Sequence, residues 1–207
     1  MNNYYTFDDV VKSFYSGTER EILKQTVIGI AGAGGIGSNC TLLLVRSGFS
    51  RFVTADFDRV SISNLNRQQY AMQHVGRAKV ECLREVCRSI NPTVEIKTHA
   101  VRIDQSNAGA LFSSCNVIIE AFDDPAGKAL LFGTYLHSGK LLIGASGIAG
   151  TGNSSRISVR KLHEKCFIVG DETTGVSDSQ KPFAPIVSLA AAKMADIVLS
   201  EVLGKRS

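Results

Sequence analysis

Nowhere in the 207 residues do two cysteines stand as C-x-x-C, and the cysteine count of five is odd. That pattern disfavours both a disulfide framework and a structural zinc knuckle, leaving reduced, partly buried thiols as the ordinary reading. Cys82 and Cys87 are five apart on a predicted helix and do not face the same way. No apolar run is long enough to span a bilayer. The opening MNNYYTFDDVVKSFY has neither the basic n-region nor the continuous apolar core of a secretory signal. A cytoplasmic protein without a membrane partner is expected. The formal charge of +4 is mild and forms no basic stripe, so nucleic acid is not the expected partner, whereas an anionic ligand would suit. There is no internal repeat, no Ser/His/Asp arrangement and no paired histidines; His74, His99, His137 and His163 are scattered and receive no role.

What is present is a regular alternation of apolar strands and amphipathic helices, with 44% hydrophobic residues, enough for one well-buried core. An amphipathic segment, Thr18 to Gln25, precedes VIGIA (27–31); AGAGGIGSNC then leads into a helix that stops near Gly48. RFVTAD (51–56) reads as a strand. RAKVECLREVCRSI places Val80, Leu83, Cys87 and Ile90 on one helical face, and Asn91-Pro92 ends that helix. VEIKTH is followed by a helix that Asp104 can cap, then by the strand NVIIEA (116–121). Asp124-Pro125 is a helix start, with Asp at the cap and Pro at the first helical position. KLLIGAS is a further strand, RISVRKL and CFIVGD form a hairpin-like appendage, and a last helix runs from about Pro185 to Leu203. The expected organisation is one domain over 1–207, divided into an N-terminal helical segment (1–26), a core (27–146) and a C-terminal part (147–207) with a mobile loop at about 170–184. Such alternation predicts an α/β fold, Rossmann-like and doubly wound. Its mostly parallel sheet would carry a small C-terminal β appendage and a final helix.

Gly32, Gly34 and Gly37 form G-x-G-x-x-G directly after a strand and before a helix, the context that makes this pattern informative. The glycines allow a tight turn and a close approach to phosphate, and the helix start offers free N–H groups and a positive dipole end. The Gly37-Ser38 pair has no lysine between its members, which excludes a Walker A loop. Asp56, at the end of the second strand, is placed to accept hydrogen bonds from a ribose hydroxyl. A dinucleotide and a nucleoside triphosphate both fit to this point. The run SNLNRQQY (63–70) separates them: a triphosphate carries about four charges that must be neutralised as pyrophosphate leaves. Arg67 and Lys79 are cations placed to do that, and Asn64, Asn66 and Gln68 can shape the surrounding hydrogen bonds. Asp123 lies just past the carboxyl end of a strand, the edge where open α/β sheets bind ligands.

GAGGIGS (32–38), DFDRVSISNLNRQ (56–68), VGRAK (75–79) and, more loosely, EAFDD (120–124) and FAPIVSLAAAKMADIVL (183–199) resemble the ThiF/MoeB-type adenylyltransferases, the bacterial relatives of ubiquitin-activating enzymes. The resemblance spans most of the chain, and D-x-D followed by SNLNRQ is its specific part. It implies that Gly34, with Gly32, Gly35 and Gly37, lies against the phosphates of ATP, and that Asp56 holds the ribose with Asp58 in the same D-x-D. Asn64, Asn66, Arg67 and Gln68 would line the triphosphate site, Lys79 would contact phosphate oxygens, and Asp123 would be the essential aspartate near Mg2+. The implied reaction is attack by the C-terminal glycine carboxylate of a small ubiquitin-like sulfur-carrier protein, ending in Gly-Gly, on the α-phosphate of ATP. Short chains of this pattern resemble the compact ThiF type, which implies a ThiS-like carrier and thiamine biosynthesis. A homodimer is implied too, with Arg20 as the counterpart of the arginine that family members supply from the neighbouring subunit.

The chain departs from the family in having no zinc-binding C-x-x-C pairs, no rhodanese-like region and no cysteine between Gly170 and Pro182. Cys166 is the nearest thiol, and a strand cysteine between Lys165 and Phe167 is ordinarily packing. Other readings are an NAD(P)-dependent oxidoreductase, which leaves Arg67, Lys79 and SNLNRQ without a task, and a non-catalytic nucleotide-binding or scaffold protein. A family branch that activates a carboxylate on modified tRNA is a further option.

Overall fold

The computed structural model describes residues 6–175, 177 and 180–205. Two short helices come first, α1 (Phe7–Phe14) and α2 (Gly17–Gln25), each started by a capping box. Thr6 and Ser16 accept the N–H of Asp9 and Glu19, whose carboxylates bind back to the N–H of the cap. Then follow β1 (Val27–Ala31), α3 (Gly35–Arg46), β2 (Arg51–Ala55), α4 (Lys79–Ile90) and β3 (Glu95–His99). After them come α5 (Ala108–Leu111), β4 (Val117–Glu120), α6 (Pro125–Tyr135), β5 (Leu141–Ala145), β6 (Ser158–His163), β7 (Cys166–Gly170) and α7 (Ala184–Leu203).

The strands form one seven-stranded sheet in the order β3-β2-β1-β4-β5-β7-β6, parallel except for the β6–β7 pair. The chain builds outward from β1 to β3 and then returns to the other side of β1 with β4. The reversal opens a crevice at the carboxyl ends of β1 and β4, where ligands of such sheets bind. Side chains alternate across β1: Ile28 and Ile30 pack on the face covered by α3 and α7, while Ala31 lies on the face where Phe112, Leu131 and Tyr135 pack. Both faces are dry, which explains why β1, β4 and β5 read as near-continuous apolar runs.

α3 and α7 pack in parallel: Val187 faces Gly35 and the Ser188 hydroxyl lies 3.3 Å from Asn39 Oδ1. The small side chains Ala190 and Ala191, fully buried, belong to this packed layer. At its far end α7 reaches α2 through an ion pair between Lys205 and Glu19. Hydrogen bonds from Lys205 and Ser16 hold the Glu19 carboxyl low, at about 2.

Two sequence expectations change in detail. RISVRKL and CFIVGD do form a hairpin, but β7 pairs in parallel with β5, so the hairpin extends the main sheet instead of hanging from it. Cys166, Phe167 and Val169 are buried in that contact, and of the two hairpin strands only β6, exposed along its length, is an edge. Asp104 does not cap a helix. Its carboxylate takes the N–H and hydroxyl of Ser106 in a turn, and the one-turn α5 begins later, behind Asn107. Of the loop expected at 170–184, residues 176, 178 and 179 lie outside the described residues, as do residues 1–5 of the N-terminal segment.

Leu44 is fully buried on α3. Leu44→Ala should therefore lower unfolding free energy by about 2–5 kcal/mol in urea titrations, because a close-packed core collapses only partly into the void.

Candidate functional site

The first turn after β1 exists only because two positions lack side chains. Gly32 has φ +98°, and a Cβ there would stand 2.9 Å from the carbonyl oxygen of Ala121, at the end of β4. A Cβ on Gly37 would lie 1.8 Å from the carbonyl oxygen of Gly32, so the helix folds directly back over the turn. Gly34 is the N-cap of α3 and provides no side-chain cap. The first N–H groups of α3, together with its dipole, therefore face the crevice at the carboxyl edge of the sheet.

Asp56, one residue past β2, holds this turn from the side. One oxygen accepts the Ala33 N–H at 2.7 Å and the other accepts the Asp58 N–H at 2.8 Å. Burial pushes the Asp56 carboxyl up, opposed by the nearby Lys79 charge and by those two N–H groups. Each oxygen keeps a lone pair free for a ligand hydroxyl. Lys79, at the start of α4, is 6% exposed, and its ammonium meets Asp58 at 2.6 Å. Asp58 occupies one of its three donors, so the ammonium can still give N–H groups to an anion.

The run SNLNRQQY lies on the first turn of α3. The Arg67 stem passes over Gly35, within 3.6 Å of where a Cβ would be, and Gln68 lies against Gly34. The Arg67 guanidinium donates to the Ser63 carbonyl at 3.1 Å and to Asn66 Oδ1 at 2.8 Å. Asn64 accepts the Ser61 N–H at 3.1 Å and shapes a single helical turn, a local role. Gln68 is 8% exposed, and its side-chain oxygen is buried without a hydrogen-bond partner. A buried amide group without a partner costs free energy unless a ligand completes it. Gly32, Gly34, Gly35, Gly37, Asp56, Arg67 and Gln68 are thus brought together, with Asp58 and Lys79 beside them.

Asp123 follows β4 on the other side of the switch point. It is exposed and makes no hydrogen bond or ion pair with the described residues. Its neighbour Phe122 lies 3.4 Å from the Cβ position of Gly32, so this loop and the glycine turn touch. A single carboxylate at this edge suits Mg2+, which arrives on phosphates and takes few protein ligands. Among the described residues there is no cluster of three or more His, Cys, Asp or Glu side chains able to hold a metal alone.

Described residues between β7 and α7 also come to this edge. Asp171 pairs with Arg156, which also binds the Ala149 carbonyl. Burial opposes the charge on Asp171, but the N–H groups of Thr174 and Thr173, with Arg156, hold its carboxyl far below the usual range. Farther on, the Gly150 N–H donates to the Lys181 carbonyl at 2.9 Å, and Asn66 reaches the Pro182 carbonyl at 3.5 Å.

Arg20 is not brought to this edge by its own chain. It sits on α2, where Leu23 meets Gly48 beyond the end of α3, about 18 Å of helix from Gly35. Sequence reasoning passed over Asn39 and Tyr70. Asn39, 4% exposed, donates to the carbonyls of Gly35 (2.7 Å) and Arg67 (2.9 Å) and accepts from Gln69 (2.6 Å). Ser38 accepts the Gln69 N–H at 3.2 Å. The adjacent polar pair Ser38-Asn39 in a mostly apolar helix was the available signal. Glu120 and Lys128 were passed over as well.

The Tyr70 hydroxyl donates to the Ala33 carbonyl at 2.7 Å and lies 3.3 Å from that of Lys79. Tyr70→Phe strands a buried carbonyl and should cost about 1–3 kcal/mol in chemical denaturation, without change in helix content.

Comparison with known proteins places the chain in a family. The ThiF family model matches residues 9–206. The adenylyltransferase and sulfurtransferase UBA4 of Candida glabrata is 29% identical over 188 residues, covering 88% of this chain and 43% of that protein. UBA4 of Vanderwaltozyma polyspora is 33% identical over 147 residues, 70% of this chain and 34% of that protein. The chain thus spans less than half the length of these curated relatives. Among solved structures, Escherichia coli tRNA N6-threonylcarbamoyladenosine dehydratase, TcdA, in complex with ATP, superposes with a TM-score of 0.86 at 20% identity. That match covers 95% of this chain and 93% of TcdA. E. coli MccB with ATP gives a TM-score of 0.68 at 21% identity, over 91% of this chain and 59% of MccB. Those two likenesses are of fold; the family match over nearly the whole length goes further, and the chain belongs to the ThiF family.

Proposed function

We propose that this chain uses ATP to adenylate a carboxylate, releasing pyrophosphate. The observation that carries the reading is the uncapped N-terminus of α3 at Gly34, flanked by Arg67, Gln68 and the buried Lys79. In-line attack forms a bond from the acceptor carboxylate oxygen to the α-phosphorus and breaks the bond from that phosphorus to the bridging α–β oxygen. Pyrophosphate leaves with the electron pair. A carboxylate is already ionised at neutral pH, so no general base is required. The α3 N–H groups and Arg67 hold the phosphates, Lys79 offsets charge on the leaving group, and Asp56 accepts from the ribose. Mg2+ carried by ATP would add charge neutralisation, and Asp123 is the carboxylate placed to face it.

The acceptor we favour is the C-terminal glycine carboxylate of a ubiquitin-like sulfur carrier, in keeping with curated relatives named for adenylyl and sulfur transfer together. A ThiS-like carrier, and with it thiamine biosynthesis, is one member of that class. A carboxylate on modified tRNA is the second reading, favoured by the near-complete mutual coverage with TcdA. A homodimer would let Arg20 reach the partner's site, the route left to it by its distance from its own.

None of the five cysteines serves as an acyl acceptor on this chain. All are buried, and burial pushes Cys40 and Cys87 up to about 12 and Cys115 to about 11, with Cys82 and Cys166 also raised. The thiolate is the nucleophile, and here it is suppressed. Native protein should accordingly show less than about one reactive thiol toward a disulfide reagent at neutral pH and keep full adenylation afterwards. Rapid labelling with loss of activity would assign a thiol to the reaction.

Pyrophosphate exchange with ATP and magnesium tests the central reading. It should require a carrier ending in Gly-Gly and fall by at least about 100-fold in Arg67→Ala, as when a donor to the developing charge is removed. Dependence on modified tRNA instead would select the second acceptor. Absence of exchange with either, alongside binding of a nicotinamide dinucleotide, would sink adenylation.

A further inference from the structure

Glu120 is the last residue of β4, is fully buried, and is surrounded along its strand by Ile118 and Ile119. Lys128, on the first turns of α6, donates to both Glu120 oxygens at 3.0 and 3.1 Å and to the Ala145 carbonyl, at the end of β5, at 2.7 Å. Its three donors are all engaged. Glu120 Oε1 also accepts the Phe122 N–H at 2.8 Å. Residue 144, beneath the carboxylate, is glycine; a Cβ there would stand 3.0 Å from Glu120 Oε2. The pair therefore joins four pieces of chain: the end of β4, the loop after it, the first turns of α6 and the end of β5.

A buried ion pair contributes little net stability compared with an apolar pair of the same volume, since desolvation offsets attraction. What this one supplies is direction. Phe122 is pinned by Glu120, and Asp124 is pinned by capping the N–H groups of Ala126 (3.3 Å) and Gly127 (2.8 Å). Asp123 stands between these two fixed residues with its own carboxylate free. We propose that Glu120 and Lys128 are positioning residues that aim Asp123 at the magnesium carried by the nucleotide. The proposal rests on the adenylation reading above and on Asp123 facing that ion.

The test is a magnesium titration of ATP binding by calorimetry, without any carboxylate acceptor. Wild type should bind ATP more tightly as magnesium is added, and Asp123→Ala should lose that response. Glu120→Gln/Lys128→Met leaves no charge unpaired and so should fold, as far-UV circular dichroism and thermal unfolding will report. It should raise the magnesium concentration at half-response by about 10- to 100-fold, the usual effect of losing a group that orients a metal ligand. Affinity for ATP without magnesium should stay at the wild-type value. Lys128→Arg, which preserves the charge, should respond like wild type. A wild-type magnesium response in the double variant, with Asp123→Ala impaired, overturns the positioning role alone and leaves the adenylation reading standing. An unaltered response in Asp123→Ala overturns the proposal together with the magnesium role of Asp123. Nucleotide binding insensitive to Arg67→Ala as well would count against the adenylation reading itself.

Discussion

Gly37 passes so close to the carbonyl of Gly32 that no side chain fits between them, and most of the carboxyl edge is organised around this contact. It starts α3 immediately after β1 and leaves the first N–H groups of the helix uncapped. Because those groups must not be covered, the turn is held from its flanks. Asp56 accepts the Ala33 N–H, the Tyr70 hydroxyl donates to the Ala33 carbonyl, and Asn39 ties the Gly35 carbonyl to that of Arg67. Each contact fixes backbone and leaves the crevice clear. This is preorganisation in a literal sense: the dipoles are set before any ligand arrives, so little reorganisation remains for the binding step.

The charges obey the same economy of placement. Lys79 is almost fully buried but keeps one half-exposed carboxylate beside it, so the ammonium is neither stranded nor fully neutralised. Arg67 is braced by a backbone carbonyl and an asparagine oxygen instead of an acid, so its full charge remains. On the other side of the switch point the order is inverted: Glu120 and Lys128 are closed on each other, and Asp123 is free. Cations thus stand on one side of the switch point and an unpaired carboxylate on the other.

The parts most legible in the sequence were those with a strict local rule. G-x-G-x-x-G after an apolar strand, the Asp124-Pro125 helix start and the apolar periodicity of α4 all fall where the spacing puts them. SNLNRQQY was legible as a polar site, but its chief structural duty was not. Three of its hydrogen bonds join Arg67 and Gln69 to Ser38 and Asn39, about 30 positions away on α3, and no local pattern encodes such pairs. The hairpin at β6–β7 was seen, yet its attachment to β5 was not, because parallel pairing leaves no turn to read. Glu120 and Lys128 look in sequence like a strand end and a helix surface; only the fold shows them closing on each other in the interior. Asp104 went the other way, a good cap by type that found a nearer turn to serve.

The packing of α7 on the glycine turn has a consequence for the order of assembly. Val187 covers Gly35 and Ser188 completes the bonds of Asn39, some 150 residues later in the chain. During synthesis the turn therefore emerges about 150 residues ahead of the wall that finishes it. Over that interval the turn is a bare, glycine-rich segment with one side exposed. Contacts so distant in sequence carry a large closure entropy and form late. The finished form of the glycine turn thus waits for α7, about 150 residues downstream.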